Sequence, residues 1–514
     1  MSGLPISWLN THLEDLITLE MGQAPAGSKC NKTGNGTPFV KAGEFGSTHP
    51  VIREWTTNPL RYGKQGDVFL CVVGATSGKI NYGIECAIGR SVAALRPYLG
   101  LETHFLYHFL STRIMHLRSG TAGSAQGVIS KSDINFISIP LPPLAEQRRI
   151  VAKIEELFSE LDAGEESLRR ARRQLGVYRQ SLLKQAFEGK LTAHWRKRNP
   201  HLLESPDELL KQIQTEREAH HKRQIKEWQA ALKEWEAGDK AEKKPPKPQK
   251  LTPVSDNNIV LDCESPDSWT TLNLSQFVLE LGQGWSPKCE NREALETEWA
   301  VIKTTAIQIG HFDPSANKAL PKNFPARPWL GLRSGEILIT RAGPRSRCGI
   351  VCRVKGDHPR LMLCDKAYRL VLSESAASPE FVERLLCSPA SAAAIEDLKT
   401  GINDSGVNLT QTAFLQLAFP IPPLPEQREI VRLLDEQFTV IEQNEREIDA
   451  ALKRSAALRQ SILKNAFTGQ LVPQDPTDEP ASALLERIRE ERASGSQTRK
   501  GVKKALDPIR ARGR

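Results

Sequence analysis

None of the nine cysteines forms a Cys-x-x-Cys pair. Cys348 and Cys352 lie close together, but no His-x-x-x-His partner stands near them. Zinc-ligand spacing is therefore missing and no metal site is expected. Scattered thiols suit a reducing cytosol, which is the expected location. No run of 18 apolar residues occurs, so no membrane span or membrane partner is expected. The start, Met-Ser-Gly-Leu-Pro, lacks the basic-then-apolar pattern of a signal peptide. Catalytic signatures are missing too: Gly-x-Ser-x-Gly, His-Glu-x-x-His, and the Asn-Pro-Pro-aromatic run of adenine methyltransferases. Gly74-Ala75-Thr76-Ser77-Gly78-Lys79 imitates a phosphate loop. It is one residue short between the glycines, and Ile80 stands where magnesium needs Ser or Thr. The expectation is a chain with no catalytic residue and no cofactor, whose chemistry belongs to partners.

What is present is ordinary in bulk. The 514 residues are 39% hydrophobic and 25% charged, enough for cores of normal size and about three units at ~150 residues each. Lys plus Arg is 70 against 61 for Asp plus Glu, a net charge of +9. That modest excess suits a polyanionic partner without identifying one.

The informative feature is a duplication. Residues 140–151, P-L-P-P-L-A-E-Q-R-R-I-V, return at 420–431 as P-I-P-P-L-P-E-Q-R-E-I-V, an offset of 420 − 140 = 280. The offset holds through Arg179–Lys184 and Arg459–Lys464, and through Ala186-Phe187-x-Gly189-x-Leu191 and Ala466-Phe467-x-Gly469-x-Leu471. A helix of fixed register demands this, because one inserted residue rotates all later side chains by ~100°. Leu209-Leu210-x-x-Ile213-x-x-Glu216-Arg217 returns as Leu484-Leu485-x-x-Ile488-x-x-Glu491-Arg492, at 484 − 209 = 275. Weaker echoes precede the helices: Pro5-x-x-Trp8 and Pro266-x-x-Trp269, Gly66–Leu70 and Gly335–Ile339, Gly127-Val128-Ile129 and Gly406–Leu409. The helices hold their length while the domains before them drift in loops, which suggests different tasks.

Residues 145–188 contain no proline, Pro142 and Pro143 suit a helix start, Glu146 favours the first turn, and Gly189 and Gly469 mark the ends. Apolar residues alternate three and four apart. In the first helix the a positions are Ile154, Leu161, Leu168, Leu175 and Leu182, and the d positions Ile150, Leu157, Gly164, Ala171 and Tyr178. In the second, a is Leu434, Ile441, Ile448, Ser455 and Ile462, and d is Ile430, Gln437, Asn444, Ala451 and Leu458. So narrow a seam predicts that the two helices pair as a coiled coil, the alternative being that each packs on its own domain.

Short strand candidates (Asp67–Val73, Val92–Leu95, Glu336–Thr340, Ala367–Leu372) between Gly-, Asn- and Pro-rich turns predict mixed α/β (α+β) domains. Their loops carry Lys79, Arg90, Ser124 and Gln126 in the first domain and Arg341, Arg345, Arg347 and Asn403 in the second. Such side chains can meet phosphates or base edges, or be ordinary surface polarity.

Taken together, Pro-x-x-Trp, Gly-Val-Ile, I-P-L-P-P-L-A-E-Q-R-R-I-V and a helix ending S-L-L-K-Q-A-F-E-G-K-L, given twice, resemble the specificity subunit of type I restriction–modification enzymes. The resemblance implies two target-recognition domains, residues 1–141 and 265–421, separated by a long antiparallel coiled coil of helices 142–191 and 422–471. It implies that each domain reads half of a split, asymmetric target in double-stranded DNA. It also implies that the helices dock methyltransferase subunits and that restriction subunits join. Residues 192–264 form a charged helical region and Pro/Lys-rich linker with Trp228 and Trp235 seven apart. Residues 472–514 form a helical segment and a basic tail expected to lack order. The rival reading is a coiled-coil scaffold whose paired domains bind protein.

Overall fold

The computed structural model describes residues 4–74, 76–119, 128–202, 205–238, 244–245, 247–253, 259–260, 264–401 and 403–492. Ser124, Gln126 and the basic tail lie outside them. The chain forms two compact units, one of residues 1–170 with 448–514, the other of 171–447.

In the first unit the central strand Val68–Cys71 is buried along its whole length, which suits its unbroken apolar sequence. Alternate side chains point to opposite faces. Val68 and Leu70 enter one core, and Phe69 and Cys71 enter another. The sheet order is Ile17–Met21, Val92–Pro97, Val68–Cys71, Ile80–Tyr82, antiparallel throughout. Phe105, Leu106, Phe109 and Leu110 of the helix Thr103–Ser119 fill the first core, spaced as one helical face requires.

The second unit repeats this plan. Its sheet runs Val278–Gln283, Ala367–Leu372, Ile337–Thr340, Val351–Arg353. Ile337 and Ile339 face one core and Leu338 another. Phe381, Val382, Leu385 and Leu386 of the helix Pro379–Leu386 fill the place of the four residues above. The fold class is mixed α/β, as expected. The weak echo at Gly66 and Gly335 becomes a backbone identity: both open the central strand with φ near +88° and +87°.

The long helices are Leu144–Phe187 and Leu424–Phe467, each 44 residues. In the first unit the amino-terminal half of the first helix faces the carboxy-terminal half of the second. Glu165 accepts from Ser455 Oγ at 2.8 Å, and Arg459 lies over the Phe158 ring at 5.0 Å. In the second unit the opposite halves meet, with Arg179 over Phe438 at 5.0 Å and 3.7 Å from Glu445. The helices are therefore antiparallel.

The seam is more divided than the heptads suggest. Ile150 and Ile154 are buried in the first unit's core, and Ile430, Leu434 and Ile441 in the second's. Each helix thus spends its first turns on its own domain. Ile448 is buried, while Leu161, Leu168 and Leu175 are half-buried. Leu458 is 51% exposed, and Arg459 takes the facing place. A straight helix of 3.6 residues per turn drifts off a strict seven-residue repeat, which moves the contact from position d towards e.

Candidate nucleic-acid interface and the helix junctions

Backbone hydrogen bonds match the two domains residue by residue. Val72 N donates to Ser91 O, and Ile129 N to Val72 O, both at 2.9 Å. In the second unit Arg341 N donates to Lys366 O at 2.8 Å, and Leu409 N to Arg341 O at 2.7 Å. Gly78 N reaches Cys71 O at 2.8 Å, as Gly349 N reaches Thr340 O at 2.7 Å. The hairpin loops 72–78 and 341–349 are thus equivalent, as are the turns at Arg90-Ser91 and Asp365-Lys366. The phosphate-loop mimic is therefore a strand-to-strand hairpin, leading into Ile80–Tyr82 and not into a helix. A P-loop requires a helix amino terminus there.

Lys79 and Arg90 are exposed at this end of the first unit, and Arg90 lines a shallow cleft with Lys41, Glu44, Val73 and Ser91. In the second unit the structure brings Arg345 to the turn holding Asn403. Arg345 N donates to Asp404 O at 2.8 Å, Gly406 N to Asn403 O at 3.0 Å, and Ala342 pairs with Asn408. Asn403 is exposed. Arg345 Nε also donates to Glu396 at 2.5 Å, and Lys399 pairs with the same carboxylate. Arg341 and Arg347 point to backbone instead. Arg341 donates to Asp365 O at 3.0 Å, and Arg347 to Thr304 O and Ile307 O at 2.6 and 2.8 Å. These guanidiniums shape the loop. Sequence reading alone missed Gln283, which donates to Asp365 O at 3.3 Å, and the exposed Lys366.

The repeated motifs converge elsewhere, at the helix ends. Trp8 Nε1 donates to Glu146 at 2.9 Å, and Trp269 Nε1 to Glu426 at 3.1 Å. Gln147 Nε2 donates to Gly100 O and Pro142 O, both at 3.1 Å, while Gln427 Nε2 reaches Ala376 O and Pro422 O at 2.7 and 2.9 Å. All four Glu and Gln side chains are buried. Gly469 (φ +73°) and Gly189 (φ +68°) close the helices, and a Cβ on either would stand 2.4 Å from Pro5 or Pro266 Cγ. Pro-x-x-Trp therefore clasps two helix ends at once: the start of the helix that follows its domain, through Trp, and the end of the other helix, through Pro.

The clasps differ in charge. Gln474 donates to Glu146 at 2.6 Å, whereas Glu426 meets Arg196, with Thr192 donating to it at 2.7 Å. Burial pushes the Glu146 carboxyl above the usual range, against the hydrogen bonds from Trp8 and Gln474.

A profile of the type I restriction modification DNA specificity domain matches residues 5–168 and 390–454. The Escherichia coli EcoDI specificity subunit is 25% identical over 519 aligned positions, covering 98% of this chain and 99% of that one. The chain is similar over nearly its whole length to the type I restriction–modification specificity subunits. The EcoKI subunit of E. coli K12 is also 25% identical, over 82% of this chain and 78% of its own length. The match to the E. coli EcoEI subunit, at 28% identity, covers 43% of this chain and only 37% of that one. A solved chain, described for complex assembly and conformational transition of the type I R-M system, superposes with a TM-score of 0.63 at 17% identity. It covers 92% of this chain and 100% of that one, and at this identity supports the fold. The first matched stretch falls within the first unit, and the second begins in the second unit. Among the described residues no His, Cys, Asp and Glu cluster could hold a metal ion, and no helix is long and apolar enough to cross a membrane.

Proposed function

We propose that the chain recognises a bipartite, asymmetric site in double-stranded DNA, one half per domain, and supplies this specificity to methyltransferase and restriction subunits while performing no catalysis itself. One observation carries the reading. The same loop set is built twice on one scaffold, with different side chains: Lys79, Arg90 and the 72–78 hairpin in one copy, Arg345, Asn403 and the 341–349 hairpin in the other. A scaffold held constant by buried Trp–Glu and Gln–carbonyl bonds, with loops free to vary, is what modular base readout requires. Arg341 and Arg347 then set loop shape, and contact with bases falls to the exposed side chains around them. Mapping host DNA methylation with and without this gene tests the reading. A split motif with unlike halves should disappear on deletion; an unchanged map overturns it.

A further inference from the structure

The helix Pro206–Ala237 carries an extension that the repeat does not explain. Its first part docks: Leu209 and Ile213 enter the second unit's core, and buried Arg217 donates to Ser275 O and Gln276 O at 2.7 and 2.6 Å. Seven residues on, Gln224 donates to Glu280 at 2.6 Å, and His220 lies 3.6 Å from the same carboxylate. The helix thus tracks the strand Val278–Gln283 in the strand's own direction. At about 1.5 Å per helical residue and 3.3 Å per strand residue, it draws level with Gln283 near Ala231. Gln283 is bonded to the Asp365-Lys366 turn, the edge of the recognition loops. The arm therefore arrives at the end of the domain that carries them.

There it is braced. Trp228 Nε1 donates to Pro245 O at 2.9 Å, Lys247 lies 6.0 Å over the Trp228 ring, and Lys250 pairs with Glu218 at 4.0 Å. On the outward face Lys222, Lys226 and Lys233 are exposed. At ~100° per residue they fall within about 40° of one another, opposite the docked face. Glu227 and Glu234 lie off this stripe to one side, while Glu218 and Glu236 flank it on the other. After the second docking helix the sequence again turns basic, at Arg499, Lys500, Lys503 and Lys504.

We propose that the Lys222–Lys226–Lys233 stripe contacts the phosphate backbone of duplex DNA flanking the half-site of the second domain. This rests on the DNA-recognition reading above. Such contacts hold DNA in register and carry no base information. Each phosphate neutralised contributes about 0.9 to the slope of log K against log salt.

The test uses the full chain in its natural assembly and two duplexes, one of scrambled sequence and one carrying the host motif. The triple variant Lys222→Gln/Lys226→Gln/Lys233→Gln should lower the salt slope by up to about 2.7 on both alike. It should leave the melting temperature and the motif unchanged, and the triple Lys→Arg variant should keep the parental slope. An unchanged slope overturns the proposal, as does a loss confined to the motif duplex. So does loss of partner subunits with DNA binding intact, which would make the stripe a protein contact. If the parental assembly itself shows no salt-dependent binding, the DNA-recognition reading fails, and the arm proposal with it.

Discussion

Glu146 and Glu426 hold the same place in the repeat, and each accepts from a tryptophan, yet their other partners differ. Glu426, fully buried, meets the Arg196 guanidinium, whose side chain is 16% exposed. Removing one partner of a buried pair leaves a charge without compensation, so Glu426→Gln should destabilise the second unit by about 3–5 kcal/mol in denaturant unfolding. Glu146 meets the neutral Trp8 and Gln474, with Arg149 held away by Asp478 at 2.6 Å. Its raised carboxyl binds a proton more readily in the folded state than in the unfolded chain. That contribution to stability is present at low pH and is lost as pH rises through the raised value. Glu146→Gln removes this dependence, so the variant should gain on the parent as pH rises from about 4 to 7. A constant difference between the two across that range would refute the assignment.

Among elements, the two helices that follow the long ones are most easily misread. Their repeat, Leu209–Arg217 against Leu484–Arg492, is plain in sequence, and its spacing announces a buried face. Nothing in the spacing says what covers that face. Leu209 and Ile213 pack in the unit that holds the second domain, whereas Leu484, Leu485 and Ile488 pack in the unit that holds the first. A Cβ on Gly100 would lie 2.6 Å from Ile488. Other roles were hidden for the same kind of reason. Arg341 and Arg347 read as loop side chains suited to phosphates, base edges or plain surface polarity, because a sequence does not show the carbonyls they reach. Glu146 read as a helix-dipole residue because Trp8, its donor, is 138 positions away. The repeat, the helix limits and the central strands were legible because they depend on local periodicity. Deleting residues 472–514 removes the buried Leu484, Leu485 and Ile488 side chains, with the small Ala481, from the first unit, a loss of roughly 5–8 kcal/mol by burial of the large three alone, comparable to the stability of a whole domain. Limited proteolysis should then degrade residues 1–170 while 171–447 stays resistant. Equal loss in both units would show the helix to be assigned to the wrong core.

Across the whole molecule, each recognition domain is completed by chain from three places: its own strands, the start of the helix that follows it, and the end of the other helix with the segment beyond. For the first domain these are Trp8 to Glu146, Pro5 to Gly469, and Leu101 with Leu484 and Ile488. The hairpin loops 72–78 and 341–349 lie at one end of the sheet and these clasps at other parts of the domain, so under the proposed reading identity and assembly should separate on exchange. Replacing residues 1–139 with the matching domain of a related subunit should change one half of the methylated motif and leave the other half intact. The exchange should succeed when the incoming domain keeps Pro-x-x-Trp and a glycine at the place of Gly100. A larger residue there would displace Ile488 and weaken the chimera without altering what it reads. Exchanging 472–492 together with the domain should restore that stability and still change only one half. Methylation mapping of both chimeras decides the matter: a change in both halves after the single-domain exchange would show that readout is shared between the domains and that the clasps do not isolate them.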